Sequence, residues 1–342
     1  MRSVADTCAL LAGGWTCYKH GVQYRTLGDS GLRVSALGLG SWLTMGTTVD
    51  AAGTRQLVQL ARDKGVNLFD TADVYNRGEA ELALAQALKD VPRHECVIAT
   101  KCFFPMSKDV NDRGLSRKHI HESIHKSLKR LGTDYVDLYQ CHRFDPEVPL
   151  AETARAMDDL IRRGLVLYWG VSQWPADRIA EVVELCRHAG FAAPISNQPL
   201  YNLFDREIEL AVLPTSARHG VGQLVYSPLA QGVLTGKYAP GQAPPAGSRA
   251  TETAGGEFIA RYMTEKRLQV AAQLTAIAAD NDLTATQIAL AFCMRDERIS
   301  SVLVGARSEA QLKENVGALN ILLSPALLAE LDRLFPIAVA EQ

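Results

Sequence analysis

The chain has 342 residues, with 36 lysines and arginines against 38 aspartates and glutamates, a formal net charge of −2. This balance argues against a nucleic-acid binder, which normally presents a concentrated basic surface. A hydrophobic fraction of 47% with 22% charged residues matches a globular protein and excludes a disordered or fibrous chain. The length allows either two domains of about 150 residues or one α/β barrel, which typically needs about 250 residues.

The first 22 residues are set apart as a leader of unknown role. Their longest apolar stretch, residues 8–15, is far shorter than the ~20 residues that span a bilayer, so we expect no membrane insertion. They also make a poor signal peptide, because Asp6 interrupts the basic leader and two glycines interrupt the apolar run. Seven cysteines without a CxxC pair favour reduced thiols and a cytoplasmic location.

From residue 24 onward, short apolar runs rich in β-forming residues alternate with amphipathic helical stretches, which is the pattern of βα units. A hairpin within residues 24–34, turning at Asp29-Ser-Gly31, precedes the first strand and would cap one end of a barrel. Strands are predicted over residues 35–40, 66–70, 96–101, 135–141, 166–172, 193–198, 222–227 and 300–305. Helices are predicted over residues 51–64, 79–89, 116–131, 150–163, 175–189, 284–295 and 325–334.

The segment from residue 228 to about 263 is the most irregular part of the chain. It contains Pro240, Pro244, Pro245 and several glycines, and it is too long for an ordinary connection. Its length indicates a functional or mobile segment.

Eight parallel strands could close into a barrel or remain an open sheet. An open dinucleotide-binding sheet should carry Gly-x-Gly-x-x-Gly after its first strand, and residues 38–43, Gly-Leu-Gly-Ser-Trp-Leu, lack the third glycine. We therefore predict an α/β fold in which residues 23–342 form one closed (β/α)8 TIM barrel, with an N-terminal hairpin cap and an extra C-terminal helix.

The chemistry of such a barrel is concentrated at the C-terminal ends of its strands. Most of the predicted strand ends carry polar side chains, which would converge on one mouth and so predict a site there. These residues are Ser41, Trp42, Asp70, Lys101, His142, Ser172, Gln173, Gln198, Tyr226, Ser227 and Arg307.

Four residues from three successive βα loops, Asp70, Tyr75, Lys101 and His142, predict a general-acid site. A phenol with a pKa of about 10 is a poor proton donor unless a cation stabilises its phenolate, and Lys101 can supply that charge. Asp70 would hold the ammonium and keep it protonated, while His142 could orient a substrate carbonyl beside Tyr75. The alternative is an Asp70–Lys101 ion pair that only ties two strands together.

These residues resemble a known family. Residues 68–75, Leu-Phe-Asp-Thr-Ala-Asp-Val-Tyr, together with Gly78-Glu-Ala-Glu81, Thr100-Lys101 and His142, resemble the signature of the aldo-keto reductase superfamily. Residues 114–119, 168–172, 226–230 and 305–315 are similar to the branch that contains the voltage-gated potassium-channel β subunits and their bacterial and plant relatives.

The resemblance implies a barrel that reduces aldehydes and ketones with NADPH, taking the proton from Tyr75. It implies that Ser172 and Gln198 bind the nicotinamide carboxamide and that the Tyr226 ring stacks on the nicotinamide. The other cofactor contacts implied are Ser41, Trp42 and Gln173, then Ser227, Leu229, Gln231, Lys237 and Arg249 along the pyrophosphate, and Arg307, Gln311, Glu314 and Asn315 at the adenosine end. A cation beside the 2′-phosphate would favour NADPH over NADH.

The sequence departs from the channel branch at two cofactor positions. Gln173 stands where the channel subunits commonly carry arginine, and Arg307 stands where they carry a smaller residue. The resemblance to this branch also leaves a second function open, that of a cofactor-sensing cytosolic β-type subunit that regulates a membrane channel. His142 favours the enzyme, because the animal channel subunits usually carry asparagine there. The resemblance also implies a homo-oligomer, a tetramer in the nearest relatives.

Two further patterns, a zinc-like motif and a pair of cysteines beside the predicted site, have ordinary structural interpretations. Residues 121–125, His-Glu-Ser-Ile-His, fit a zinc motif, but the predicted helix is flanked by basic residues and no third ligand follows at a suitable spacing. We expect no metal there. Cys102 and Cys141 adjoin Lys101 and His142, and we expect them to be buried and inert rather than redox-active.

Overall fold

The computed structural model describes residues 7–11, 14–19, 22–252 and 255–337. Within these residues the chain forms a four-stranded antiparallel sheet followed by a closed barrel of eight parallel strands. The sheet consists of β1 (Thr7–Leu11), β2 (Gly14–Lys19), β3 (Val22–Thr26) and β4 (Arg33–Ser35). The barrel strands are β5 (Leu37–Gly40), β6 (Leu68–Asp70), β7 (Val97–Cys102), β8 (Val136–Cys141), β9 (Val166–Ser172), β10 (Ser196–Gln198), β11 (Gly222–Tyr226) and β12 (Ile299–Val304).

The closed (β/α)8 barrel confirms the fold predicted from the sequence. Consecutive strands pair in parallel around the barrel, and β12 closes it by pairing with β5. Every residue of β7, β8 and β12 is buried. Such strands lie between the barrel interior and the helical layer, which explains why they read as apolar runs rather than alternating ones.

The helices surround the barrel and include the seven that were predicted from the sequence. Two of them begin at N-cap residues, Asp50 and Ser116, whose side chains accept hydrogen bonds from the backbone N–H groups of Gly53 and His119. The helices are α1 (Ala51–Asp63), α2 (Glu79–Leu88), α3 (Arg117–Leu131), α4 (Leu150–Arg162), α5 (Ala176–Ala189), α6 (Val212–His219), α7 (Gly256–Ala260), α8 (Glu265–Asp280), α9 (Ala285–Met294), α10 (Glu309–Gly317) and α11 (Pro325–Leu334). None of these helices is long and apolar enough to cross a bilayer.

The hairpin of β3 and β4 closes the N-terminal end of the barrel. Leu27 and Val34 are completely buried and belong to the apolar cluster inside the barrel. The turn lies directly on the strand ends, since the backbone N–H of Asp29 donates to the Gly220 carbonyl at 2.9 Å. Gly28 has a φ of +58°, and a Cβ there would lie 2.3 Å from the same carbonyl oxygen, so this close approach requires glycine. The functional end of the barrel is therefore the opposite one.

Two parts of the chain differ from, or add to, the sequence expectation. Within the predicted leader, residues 1–6, 12–13 and 20–21 lie outside the described residues, whereas residues 7–11 and 14–19 form β1 and β2, which extend the hairpin to four strands. The irregular segment contains short 3₁₀ turns at Ala230–Thr235 and Arg249–Thr251 as well as helix α7. Residues 253–254 of that segment lie outside the described part.

Truncation of a buried side chain in the hairpin that closes the N-terminal end should destabilise the whole barrel. We expect Leu27→Ala to lower the free energy of unfolding by about 2–5 kcal/mol, because it leaves a cavity in a fully buried apolar cluster. Urea denaturation measures the change, and Leu322→Ala is the control, since Leu322 is 97% exposed and its truncation should change stability by less than about 0.5 kcal/mol. Equal effects of the two substitutions would contradict the role given to Leu27.

Candidate active site

A cavity of about 810 Å³ opens at the C-terminal ends of the barrel strands. This volume lies in the upper part of the range of about 300–1,000 Å³ that is usual for small-molecule and cofactor sites. Its walls combine the strand ends with the segment that follows β11 and with the start of α10. The cavity is therefore elongated, with one end near Tyr75 and His142 and the other near Arg307 and Asn315.

A chain of three side chains forms the floor at the first end. Lys101 Nζ lies 2.5 Å from Asp70 Oδ1 and donates to the phenolic oxygen of Tyr75 at 3.1 Å. It also donates to the Thr71 carbonyl at 2.8 Å, so all three ammonium hydrogens have an acceptor. Lys101 is completely buried and Asp70 is 4% exposed, which separates the ion pair from bulk water. Tyr75 links this buried pair to the cavity that it lines.

The second carboxylate oxygen of Asp70 is held by two amides from other strands. Gln198 Nε2 donates to Asp70 Oδ2 at 2.8 Å, and Gln140 Nε2 donates to the same atom at 3.3 Å. Gln140 and Gln198 are both buried. A buried carboxylate needs such donors, because its lone pairs have lost their water.

The pKa values at this floor are set mainly by burial. Burial lowers the pKa of Lys101, and the Asp70 carboxylate opposes that shift. Burial raises the pKa of Tyr75 well above its usual value, and the negative charge of Asp70 raises it further. Tyr75 is therefore held as a protonated phenol that can donate.

His142 faces Tyr75 across the first end of the cavity. The two rings lie 5.6 Å apart between centroids and are nearly perpendicular. Burial lowers the pKa of His142 well below its usual value, and the nearby Lys101 and Arg143 cations add to this shift. A neutral imidazole can donate one N–H to an oxygen atom without carrying charge into the site.

Left-handed backbone recurs directly after four residues of the site. Leu43 follows Trp42, Asn76 follows Tyr75, Gln173 follows Ser172 and Ser227 follows Tyr226, with φ values of 58°, 46°, 58° and 59°. This conformation is unfavourable for residues other than glycine and is found mainly where surrounding contacts impose it. The turns at Gln173 and Ser227 directly follow β9 and β11, so Ser172 and Tyr226 are the last residues of their strands.

The second end of the cavity is lined by cations and amides. Arg249 Nη1 donates to Gln231 Oε1 at 2.7 Å, and Gln231 Nε2 donates to Ser227 Oγ at 2.5 Å. Lys237 lies over Gly232, where a Cβ would come within 2.9 Å of the Lys237 Nζ. Desolvation lowers the pKa values of Lys237 and Arg249, and the charge of Arg307 lowers both further. Such mutual repulsion favours binding of an anion between these groups.

Arg307 is already paired with a carboxylate of the irregular segment. Its Nη1 and Nη2 atoms lie 2.5 and 2.7 Å from the two carboxylate oxygens of Glu252, which is a bidentate ion pair. Arg307 Nη1 also donates to the Gly247 carbonyl at 3.2 Å. The pair fastens the segment after β11 to the loop after β12, across the second end of the cavity.

Most of the site residues predicted from the sequence line this one cavity. Gln173 does not line it: its side chain is exposed and binds the Tyr226 hydroxyl and the backbone N–H of Leu200. Lys101 lies beneath the floor and acts through Tyr75. The predicted residues that do line the cavity are Ser41, Trp42, Asp70, Tyr75, His142, Ser172, Gln198, Tyr226, Ser227, Leu229, Gln231, Lys237, Arg249, Arg307, Gln311, Glu314 and Asn315.

Sequence reasoning missed several residues of the site. Arg143, Phe104 and Phe258 line the first end, and Phe258 packs edge-on against Trp42 with ring centroids 4.8 Å apart. The position of Arg143 next to His142 was a signal that could have identified it. No local pattern marks Phe258, because it reaches the mouth through the fold of the irregular segment.

The zinc-like pattern at residues 121–125 and the two cysteines next to the site have structural explanations. His121 and His125 lie on the exposed part of α3, and both rings contact the guanidinium of Arg163. No group of three potential metal ligands occurs among the described side chains. Cys102 and Cys141 are completely buried, and burial raises the pKa values of both thiols, which agrees with inert cysteines.

Comparisons with known proteins point to one family. Residues 36–335 match the model of the aldo/keto reductase family. The chain is 42% identical over 316 residues to a probable voltage-gated potassium channel subunit beta of Oryza sativa subsp. japonica, covering 91% of this chain and 96% of that protein. It is 41% identical to a protein of the same description from Arabidopsis thaliana, with the same coverage, and 39% identical to a putative voltage-gated potassium channel subunit beta of Schizosaccharomyces pombe, covering 92% and 93%.

Asp73 is a buried titratable group that anchors the Tyr75 loop to α3. Its Oδ2 accepts a hydrogen bond from Ser123 Oγ at 2.8 Å, and burial raises its pKa from 3.8 to about 7. The stability that the neutral carboxyl contributes is therefore complete below about pH 4 and is lost as the pH rises to 7. We expect Asp73→Asn to be more stable than the unmodified chain at pH 8 by up to a few kcal/mol, at 1.36 kcal/mol per pKa unit, and to differ little at pH 4.

Urea denaturation at the two pH values measures this difference. Asp63→Asn is the control, because it makes the same chemical change on an exposed side chain and should shift stability by less than about 0.5 kcal/mol at either pH. A constant difference between Asp73→Asn and the unmodified chain from pH 4 to 8 would contradict a raised pKa.

Proposed function

Because the chain belongs to the aldo/keto reductase family, we propose that it reduces aldehydes and ketones to alcohols with NADPH as the hydride donor. The observation that supports this most strongly is the 3.1 Å hydrogen bond from Lys101 Nζ to the Tyr75 oxygen at the cavity floor. It joins a proton donor that lines the cavity to a dry ion pair beneath it.

The residues of the cavity fit a dinucleotide. The hydroxyls of Ser41 and Ser248 line it and have no hydrogen-bond partner among the described residues, although both are buried. Lys237 and Arg249 repel one another, which a pyrophosphate would relieve. The nicotinamide, when bound, supplies the hydride for carbonyl reduction.

Each end of the cofactor would be held by a different set of side chains. We assign Ser172 and Gln198 to the carboxamide and Tyr226 to the face of the nicotinamide ring. Ser41 and Trp42 lie at the same end. The pyrophosphate would lie along Ser227, Leu229, Gln231, Lys237 and Arg249, and the adenosine end would contact Arg307, Gln311, Glu314 and Asn315. Gln173 would act indirectly, through its hydrogen bond to Tyr226.

The protein's own part of the chemistry is to place and move a proton. The neutral His142 donates an N–H to the substrate carbonyl oxygen and holds it beside the Tyr75 hydroxyl. Tyr75 then gives its proton to that oxygen as negative charge develops there. Lys101 already donates to the Tyr75 oxygen, so the new phenolate has a charged donor in place and needs no reorganisation.

Removal of the Tyr75 hydroxyl should abolish turnover without loss of cofactor binding. We expect Tyr75→Phe to lower kcat about 10²- to 10⁴-fold, the range for loss of a general acid, while the NADPH Kd changes little. NADPH oxidation with a panel of aldehydes and ketones measures the first, and fluorescence titration the second. Tyr135→Phe is the matched control, because Tyr135 lies under the Arg93 guanidinium, outside the cavity. An active Tyr75→Phe enzyme would rule out this role.

Glu252 should weaken the preference for NADPH, because its carboxylate occupies the guanidinium that a 2′-phosphate would bind. We expect Glu252→Gln to tighten NADPH binding about two- to fivefold, the equivalent of one partly exposed ion pair, and to leave NADH binding unchanged. Fluorescence titrations with both cofactors measure the ratio. An equal change for NADH and NADPH would contradict an interaction between Arg307 and the 2′-phosphate.

A second candidate function is that of a cofactor-sensing β-type subunit that regulates a membrane channel. The names of the relatives from rice, Arabidopsis and fission yeast favour it. The relatives also lead us to expect a homo-oligomer, a tetramer by resemblance. NADPH binding without carbonyl-dependent oxidation across the panel would favour this candidate over the reductase.

We also propose a cytoplasmic location. The cysteines Cys96, Cys102, Cys141, Cys186 and Cys293 are all buried and free of disulfide bonds, which suits a reducing compartment.

A further inference from the structure

Arg143 places an arginine at the first end of the cavity, beside the reacting groups. It follows His142 directly at the end of β8 and lines the cavity. Its guanidinium lies 5.3 Å from the centroid of the Phe104 ring, and its Nη1 donates to the His142 carbonyl at 2.5 Å. The side chain is half-buried and is held at the mouth by these two contacts.

This arginine has no carboxylate partner. Among the side chains that the structure describes, no Asp or Glu oxygen lies within 4.0 Å of its guanidinium, and one carbonyl occupies only part of its five N–H donors. Three other half-buried arginines are paired: Arg93 with Asp137, Arg130 with Glu81 and Arg307 with Glu252. A half-buried guanidinium without a counter-ion is a ready binding group for an anion.

The surroundings of Arg143 fit a small anionic carbonyl compound. Trp42, Phe104 and Phe258 form apolar walls that suit a carbon skeleton. The carboxylate of Asp70 forms an ion pair with Lys101, so it does not neutralise the positive charge of Arg143 at this end of the cavity. Arg143 also lowers the pKa values of Tyr75 and His142, which shows that its charge acts at the same place as theirs.

We propose that Arg143 binds a negatively charged group of the substrate, so that the preferred substrates are aldehydes or ketones that carry a carboxylate or a phosphate. The proposal rests on the reductase function and names the substrate class. One or two N–H groups of Arg143 donate to the anion while the carbonyl oxygen lies between Tyr75 and His142.

Matched pairs of substrates test the proposal. The carboxylate arm compares 4-formylbenzoate with its methyl ester, and the phosphate arm compares glycolaldehyde phosphate with glycolaldehyde. We expect the unmodified chain to favour the anionic member of at least one pair in kcat/KM. Arg143→Met should lower that anionic-to-neutral ratio about 10- to 100-fold, mainly through KM, which corresponds to loss of one charged hydrogen-bonding group. Arg143→Lys should restore part of the ratio, because it keeps the charge but not the fork.

A control arginine separates this effect from a general change of charge. Arg178→Met removes a guanidinium that stacks on Phe144 at 5.1 Å on α5, outside the cavity, and should leave the ratios unchanged. If Arg143→Met lowers kcat/KM equally for anionic and neutral substrates, Arg143 acts only on the field around Tyr75 and His142, and the proposal is overturned.

A binding measurement distinguishes failure of the Arg143 anion site from failure of the proposed reductase function. If the unmodified chain turns over no carbonyl compound, the proposed reductase function fails. Calorimetric titration of the NADP⁺-loaded chain with 4-(hydroxymethyl)benzoate and with its methyl ester still tests Arg143. Preferential binding of the carboxylate that is lost in Arg143→Met supports the anion site, and equal affinity for both compounds overturns it.

Discussion

The structure depends on one buried ion pair, between Lys101 on β7 and Asp70 at the end of β6. A lysine that is 0% exposed is costly unless every donor and the partner charge are compensated. Here the compensation comes from strands around the barrel: Thr71 supplies a carbonyl, and Gln140 and Gln198 donate to the far side of the carboxylate. The pair itself joins the neighbouring strands β6 and β7, whereas Gln198 reaches Asp70 from β10, across the closed barrel. Closure of the barrel therefore completes the hydrogen bonding of the buried carboxylate at its mouth.

The cavity above the ion pair has two chemically different ends. At the floor, Tyr75 is kept protonated by burial and by Asp70, with Lys101 already donating to its oxygen. At the other end, a cluster of cations is fastened by the Arg307–Glu252 pair to the segment after β11. A net charge of −2 over the whole chain conceals this separation. A dinucleotide that carries negative charge at one end and a hydride donor at the other matches it.

The strand ends were predictable because buried parallel strands read as apolar runs and polar residues follow them directly. Asp70, Tyr75, Lys101 and His142 could be grouped on that basis, and the structure brings them together. Contacts set by three-dimensional folding were not predictable. Gln140 lies inside an apolar strand, and Glu252 is 55 residues away from Arg307. The pKa of Tyr75 depends first on burial and then on the charge of Asp70, and spacing along the chain shows neither.

The central claim is that Lys101 assists proton donation by Tyr75. A single-turnover measurement of aldehyde-dependent NADPH oxidation, comparing Lys101→Met with the unmodified chain, tests it most directly. Circular dichroism and NADPH titration first establish that the variant is folded and binds NADPH, because its Asp70 retains only the two amide donors Gln140 and Gln198. The account predicts that the rate of the chemical step falls at least about a hundredfold in Lys101→Met while NADPH binding persists. A rate within about threefold of the unmodified chain would contradict it.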